Sequence, residues 1–189
     1  MKIHVRAAQK TDAPLLAQIF VYAIGEETAV HYCGANYMEV LTAICQSEGT
    51  QYSYRHALVA ECDGLPVAGL IGYDGARLYA LREGTLSIIR QYKTIDDIPE
   101  DETTAGEFYI DSVGVHPEFR GRGVGRQLLT AMCHQAAEQG HQCVGLLVDL
   151  ENPDAERLYR SLGFEHESMR TFFGHKMKHL VWRAGKMGQ

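Results

Sequence analysis

Between Phe108 and Glu138 the chain runs from an apolar stretch, through a turn carrying three glycines and three arginines, into a patterned helix. Few folds accommodate that succession. The apolar run Phe108-Tyr109-Ile110-Asp111-Ser112-Val113-Gly114-Val115 reads as a strand, closed by His116-Pro117 because proline removes a ladder donor. Arg120-Gly121-Arg122-Gly123-Val124-Gly125-Arg126 follows, and then a helix from about Gln127 to Glu138. Val124, Leu128, Met132 and Ala136 recur every fourth residue and give one apolar face, and Gly140 stands where a C-terminal cap belongs. A glycine-rich turn that feeds a helix gathers unpaired amides at the positive end of the helix dipole, which makes an anion cradle. A plain tight turn is the competing reading of the loop by itself.

The ligand of such a cradle is narrowed by what the loop lacks. It ends Gly125-Arg126-Gln127 where a Walker A loop needs Gly-Lys-Ser/Thr. Counting from Gly121 or Gly123, the third glycine of a dinucleotide fingerprint is replaced by Arg126 or Leu128. What fits is Arg120-x-x-Gly123-x-Gly125, preceded by Val113-Gly114-Val115-His116-Pro117-Glu118-Phe119. In these residues the chain resembles the GNAT superfamily of acyl-CoA-dependent N-acyltransferases. A second stretch carries the same resemblance: Asn152-Pro153, then Tyr159, then Gly163-Phe164, the Asn-x6-Tyr-x3-Gly-Phe spacing of that family.

Length and composition bound the remainder. A chain of 189 residues suffices for one domain with a full core, so residues 1–189 read as a single domain. A net charge of −6 argues against nonspecific nucleic-acid binding and against an anionic membrane surface. No run is apolar and long enough to span a bilayer, and no apolar signal core follows Met1. Cys33, Cys45, Cys62, Cys133 and Cys143 are odd in number and scattered, which suits reduced thiols; a soluble, cytoplasmic protein is expected.

In chain order, Lys2–Ala7 alternates as a strand, and Thr11-Asp12-Ala13-Pro14 opens a helix that Gly25 ends. Residues 26–56 hold one expected helix near Tyr37–Gln46. Ala57–Glu61 and Pro66–Tyr73 form a hairpin around Asp63-Gly64. Residues 74–105 read as an insertion with one or two helices and the acidic stretch Asp96–Glu102, placed over the acceptor side or else a surface excursion. Cys143–Leu150 is a strand buried on both faces, and Asn152-Pro153 starts a helix that Gly163 stops. Phe164–Ser168 and Thr171–Trp182 read as a closing strand pair, with 183–189 as a loose tail. Strand–helix units after antiparallel hairpins indicate an α/β fold with a mixed central sheet flanked by helices. The order of elements resembles the GNAT fold, in which the central strands splay apart.

The resemblance implies a site. The pantetheine arm of acetyl-CoA would pair with the backbone of Val113 and Val115, and the pyrophosphate would rest on the loop Arg120, Gly121, Arg122, Gly123, Val124, Gly125 and Arg126. Asn152 would contact the pantetheine, and the Tyr159 hydroxyl would face the sulfur as general acid; a core tyrosine is the alternative. Glu107, Tyr109 and Asp111 share one strand face by the two-residue period. Asp111 is the first candidate for the base and Glu107 the second, with solvent as the other possibility. His175-x3-His179 and His31-Tyr32-Cys33 make no complete metal set, and no metal is expected. The implied activity is direct acetyl transfer from acetyl-CoA to a primary amine of a small molecule, peptide or protein, by a monomer or homodimer. A noncatalytic CoA-binding sensor and a nucleotide-binding module stay open as rivals.

Overall fold

A computed structural model describes residues 1–95 and 98–185. In chain order the elements are β1 (Ile3–Ala7), α1 (Ala13–Ile24), α2 (Glu26–Cys33), α3 (Tyr37–Gln46), β2 (Ala57–Cys62), β3 (Leu65–Asp74) and α4 (Leu78–Ile89). Then follow β4 (Phe108–Val115), α5 (Val124–Glu138), β5 (Cys143–Asp149), α6 (Pro153–Ser161), β6 (Glu165–Phe172) and β7 (His175–Arg183). The strands form one seven-stranded sheet in the order β1-β2-β3-β4-β5-β7-β6. Every neighbouring pair is antiparallel except β4 and β5, which α5 connects in parallel.

Strand alternation divides the core between the two faces of the sheet. Leu58 and Leu70 point to the α5 side, where Leu128, Leu129, Met132, Phe164 and Leu180 meet them. Val59 and Ile71 point the other way, against Leu16, Phe20, Leu41 and Ile44 of α1 and α3 and Leu86 and Ile89 of α4. Among the described residues no helix is long and apolar enough to cross a membrane.

Four local expectations need correction. Residues 26–33 are a helix, α2, bounded by Gly25 and Gly34, both at positive φ. Helix α5 begins at Val124, inside the glycine loop, rather than near Gln127. The closing strands turn at Phe173-Gly174, so β6 continues through Met169 and Arg170 to Phe172. Arg183 belongs to β7, and Ala184 still donates its amide to the Gln142 carbonyl, so the chain is paired past the expected start of the tail. Residues 186–189 of that tail, and Asp96 and Asp97 of the acidic stretch, lie outside the described residues.

The insertion after β3 holds one helix, α4, whose Leu81 packs with Tyr73 and Tyr109. Beyond it the chain sends Glu102, Thr103 and Glu107 into the interior. Glu107 meets His179 of β7 across the intervening β5, with 2.8 Å between Oε2 and Nε2. The reach is possible because Gly145 lies between them. A Cβ there would sit 2.8 Å from His179 Nε2 and closer still to Glu107 Oε2. Thr103 donates its hydroxyl to the other Glu107 oxygen at 2.7 Å. Burial raises the Glu107 pKa, but the bonds from His179 and Thr103 and the nearby Arg170 outweigh it and hold the carboxyl below its usual range. Gly145→Ala should therefore force a buried carboxyl and imidazole out of hydrogen-bond contact and lower stability by about 1–3 kcal/mol. Urea unfolding with an unchanged midpoint would show that the pair yields freely.

Candidate active site

The parallel pairing of β4 and β5 lasts for three residue pairs, Phe108↔Val144, Tyr109↔Gly145 and Ile110↔Leu146. Past Ile110 each strand stays with its other neighbour: β4 with β3 as far as Val115, and β5 with β7 as far as Asp149. The β3–β4 ladder shifts at the same place, since Ile71 faces Ser112 while Gly72 faces Ile110, leaving Asp111 as the extra residue of a bulge. A bulge re-aims the side chain it carries. The parted strands open a cleft of about 290 Å³ whose wall includes Tyr109, Ile110, Asp111 and Val113 from β4, and Leu146 to Asp149 from β5.

Asp111 is held by few polar groups. Ser112 donates its hydroxyl to Asp111 Oδ1 at 2.8 Å. Burial, followed by the charge of Glu102, raises the carboxyl pKa to about 7, with Ser112 and Tyr73 pulling more weakly the other way. Glu102 itself is well provided: Arg82 donates to Oε2 at 2.5 Å, and Gln51 and Tyr73 donate to Oε1 at 2.6 and 2.9 Å. Of these two carboxyls, one has its arginine and the other takes up a proton near neutrality. Glu107, the second candidate base, is not in the cleft wall and is occupied by His179 and Thr103.

Tyr159 and Asn152 face Asp111 from the other lip, on α6 and at its start. Asn152-Pro153 folds locally as a cap: the Asn152 side-chain oxygen accepts from the Ala155 amide at 3.2 Å, and proline fits the first helical position. Tyr159 is buried at 8% exposure with its ring toward Phe164, and its hydroxyl has no protein partner among the described residues. The ring is buried but the hydroxyl opens into the cleft, where solvent or a bound molecule can meet it. Burial pushes its pKa up to about 12, so it keeps its proton.

The glycine loop is shaped for close approach. Gly121 and Gly123 have φ of +71° and +83°, and a Cβ on either would point into open space. Helix α5 starts at Val124 with Gly123 as its cap and no side-chain oxygen on its first amides. The arginines differ. Arg120 Nε donates to the Val115 carbonyl at 3.0 Å, and its guanidinium lies 5.5 Å from the Tyr22 ring. Arg122 lies over Phe119, and Arg126 donates to the Ser161 hydroxyl at 2.6 Å, tying α5 to α6. An open cradle of free amides, beside a strand edge that has lost its neighbour from Asp111 to Val115, fits a phosphorylated chain with amide groups of its own. Acetyl-CoA is such a molecule.

The far side of the cleft was not legible from motifs. It is made by Tyr22, Ala23, Ile24 and Thr28 at the α1–α2 junction and by Phe172, Phe173, His175 and Met177 of the β6–β7 hairpin. His175 Nδ1 lies 3.6 Å from Asp149 Oδ2. The available signal was the tripeptide Phe172-Phe173-Gly174, whose glycine marks a turn. No described residue of 74–105 is in the cleft wall; that segment touches the β6–β7 hairpin through Glu100, which accepts from the Phe173 amide at 3.1 Å. Among the described residues no group of His, Cys, Asp and Glu is arranged to hold a metal.

Comparison with known proteins agrees with this geometry. The sequence model of the acetyltransferase (GNAT) family matches residues 45–164. The chain belongs to that family. A mycothiol acetyltransferase of Thermobifida fusca is 46% identical over 74 residues, which is 39% of this chain and 22% of that protein. The mycothiol acetyltransferase of Nocardiopsis dassonvillei is 39% identical over 93 residues, 48% of this chain and 28% of that protein. The match thus spans less than a third of either relative. Among solved structures, an acetyltransferase 28% identical has a TM-score of 0.79 and covers 95% of this chain and 98% of its own. The yncA protein of Salmonella typhimurium, solved with its cofactor acetyl-CoA, has the same fold at 18% identity and a TM-score of 0.62, with 100% of this chain and 98% of that one covered.

Gly123→Glu should abolish acetyl-CoA binding, because it sets a negative side chain in the space left for phosphate. The left-handed backbone at Gly123 adds a cost of about 1–2 kcal/mol, small enough for the variant to fold. Calorimetry on a variant with native circular dichroism checks it, and unchanged affinity would remove the loop from the cofactor site.

Proposed function

We propose that the protein transfers the acetyl group of acetyl-CoA directly to a primary amine. The observation that carries this reading is that Asp111 and Tyr159, a proton acceptor and a proton donor, line one cleft from opposite lips where β4 and β5 part. Acetyl-CoA supplies an activated acyl carbon on a sulfur leaving group. Val113 and the Val115 amide offer their strand edge to its amide-bearing arm, the Val115 carbonyl being held by Arg120, and the amides of Gly121 to Arg126, with Arg120 and Arg122, meet its phosphates. Asn152 holds the α6 lip in place.

The chain's own residues then manage two protons. Asp111 takes the one that the amine surrenders as the carbon–nitrogen bond forms. With a pKa of about 7 it is ionised often enough to accept and basic enough to be useful. Tyr159 keeps its hydroxyl proton and offers it to the thiolate that departs when the carbon–sulfur bond breaks. Glu107 is a positioning residue in this reading, fixing the parallel seam through His179. The relatives' name shares acetyl transfer with this site; their acceptor is not carried over, since the match covers a minor part of them.

Asp111→Asn should retain acetyl-CoA affinity and lower kcat/KM for an alkylamine by about 10²–10⁴-fold, with a smaller loss for a weakly basic aniline. The wild-type rate should rise with pH through about 7, and the variant should lose that limb. Stability gives an independent sign. A carboxyl raised by burial contributes most below its unfolded value and loses that contribution as pH rises through about 7. Asp111→Asn should accordingly gain on wild type as pH increases, read from urea midpoints on either side of neutrality. Glu107→Gln is the control, and an equal, small effect of both on the rate would assign the proton to solvent.

Tyr159→Phe keeps the ring and removes the hydroxyl. Cofactor binding should survive while kcat falls by about 10²-fold, the lower end for general acid catalysis, because a thiolate already leaves readily. Single-turnover kinetics with no change in the chemical step would return Tyr159 to the core.

A further inference from the structure

Two hairpins in this sheet close with the same turn. Asp63-Gly64 joins β2 to β3 with φ of +51° and +86°, and Phe173-Gly174 joins β6 to β7 with φ of +49° and +74°. Positive φ at both central residues is the type I′ pattern, for which Asn, Asp and Gly are the suitable first residues. The first hairpin follows that chemistry, and the second puts a phenylalanine there. A bulky residue in the left-handed region is a true outlier, and such strain concentrates where a side chain serves a function.

The Phe173 ring is held at one spot. It sits 4.2 Å from Phe172 and 4.9 Å from Tyr32 of α2, centroid to centroid, so the hairpin tip meets the α1–α2 wall across the mouth of the cleft. Phe173 and Ile24 line both the cleft and a second, apolar chamber of about 30 Å³ behind it, walled by Phe20, Leu41 and Ile89. The ring therefore separates the space in front of Asp111 from the helical core. Ile24, Phe172 and the Tyr22 ring line the cleft with it, beside the polar Thr28. Besides Asp111, the carboxylate in the cleft wall is Asp149, which has His175 beside it.

We propose that Phe173 is a specificity-determining residue, and that its ring selects primary amines whose nitrogen is carried on an apolar body over short polar amines. This rests on the acetyl-transfer reading above. The hairpin accepts an unfavourable turn residue in exchange for an aromatic surface beside the amine.

The test uses the full chain and two probes, 2-phenylethylamine and ethanolamine. Wild type should favour 2-phenylethylamine in kcat/KM. Phe173→Asn supplies a residue suited to the turn, so the fold is kept, and it should shrink that preference by about tenfold or more, chiefly through KM. Phe173→Tyr, which keeps the ring, should retain the preference. Binding of 2-phenylethylamine to the CoA-loaded protein, measured by calorimetry, decides the matter without turnover: Asn should weaken it by about tenfold and Tyr should not. If wild type turns over no amine yet shows this binding pattern, acetyl transfer fails and the selecting role of Phe173 stands. If wild type turns over amines with no preference for the apolar one, or Asn leaves the ratio intact, or wild type does not bind 2-phenylethylamine, the role of Phe173 is overturned.

Discussion

The site depends on a pairing that stops. Had β4 and β5 stayed together beyond Ile110 and Leu146, the sheet would be continuous and would hold no cleft. Each is drawn off by its other neighbour, β4 by an antiparallel ladder with β3 and β5 by one with β7. The parting leaves two strand edges with backbone donors and acceptors facing the gap. Such groups are satisfied almost without exception in folded proteins, by protein, water or ligand. An extended molecule with its own amides meets that demand along its length, whereas a compact one would meet it at a single point.

Electrostatics then divides labour among the buried acids. Glu102 holds Arg82, Gln51 and Tyr73, and Glu107 holds His179 and Thr103. Asp111 has a hydroxyl from Ser112 and, through space, the unfavourable charge of Glu102. Environments that push like groups apart in pKa are how a fold assigns acid and base roles. Here the poorly supported carboxyl is the one in the cleft. The surroundings that isolate it come partly from the long excursion between β3 and β4, so that segment sets the charge around Asp111 without lining the cleft.

Much of this was legible in sequence where a local rule and the tertiary outcome coincide. The Tyr37–Gln46 helix, the Asp63-Gly64 hairpin and the amphipathic face of α5 each follow from residues that also pack as their pattern suggests. Helix α2 was unreadable because just Ala29 and Cys33 are buried in it, too few for a period to show. The turn at Phe173 was hidden because its first residue is the wrong type for its backbone. The period-two argument brought Asp111 to the face of Tyr109, but the bulge that aims it is a property of the β3–β4 register and leaves no mark in β4 itself. Motifs marked the glycine loop and the α6 lip of the cleft, while its far wall arises from two segments far apart in the chain.

The Glu107–His179 contact across Gly145 has a consequence for how the sheet assembles. Strands β1 to β4 fall into neighbouring positions apart from the helices between them, but β5 reaches its place after the α5 crossover, a long closure that lends itself to error. A slip of β5 by one residue would put Val144 or Leu146 where Gly145 now sits and force a branched side chain between a carboxylate and an imidazole. Hydrophobic packing alone penalises such a slip weakly in a strand that is apolar on both faces. The glycine flanked by two buried polar groups works as a key in a lock, admitting one alignment of the two halves, and so it fixes to the residue where the strands part.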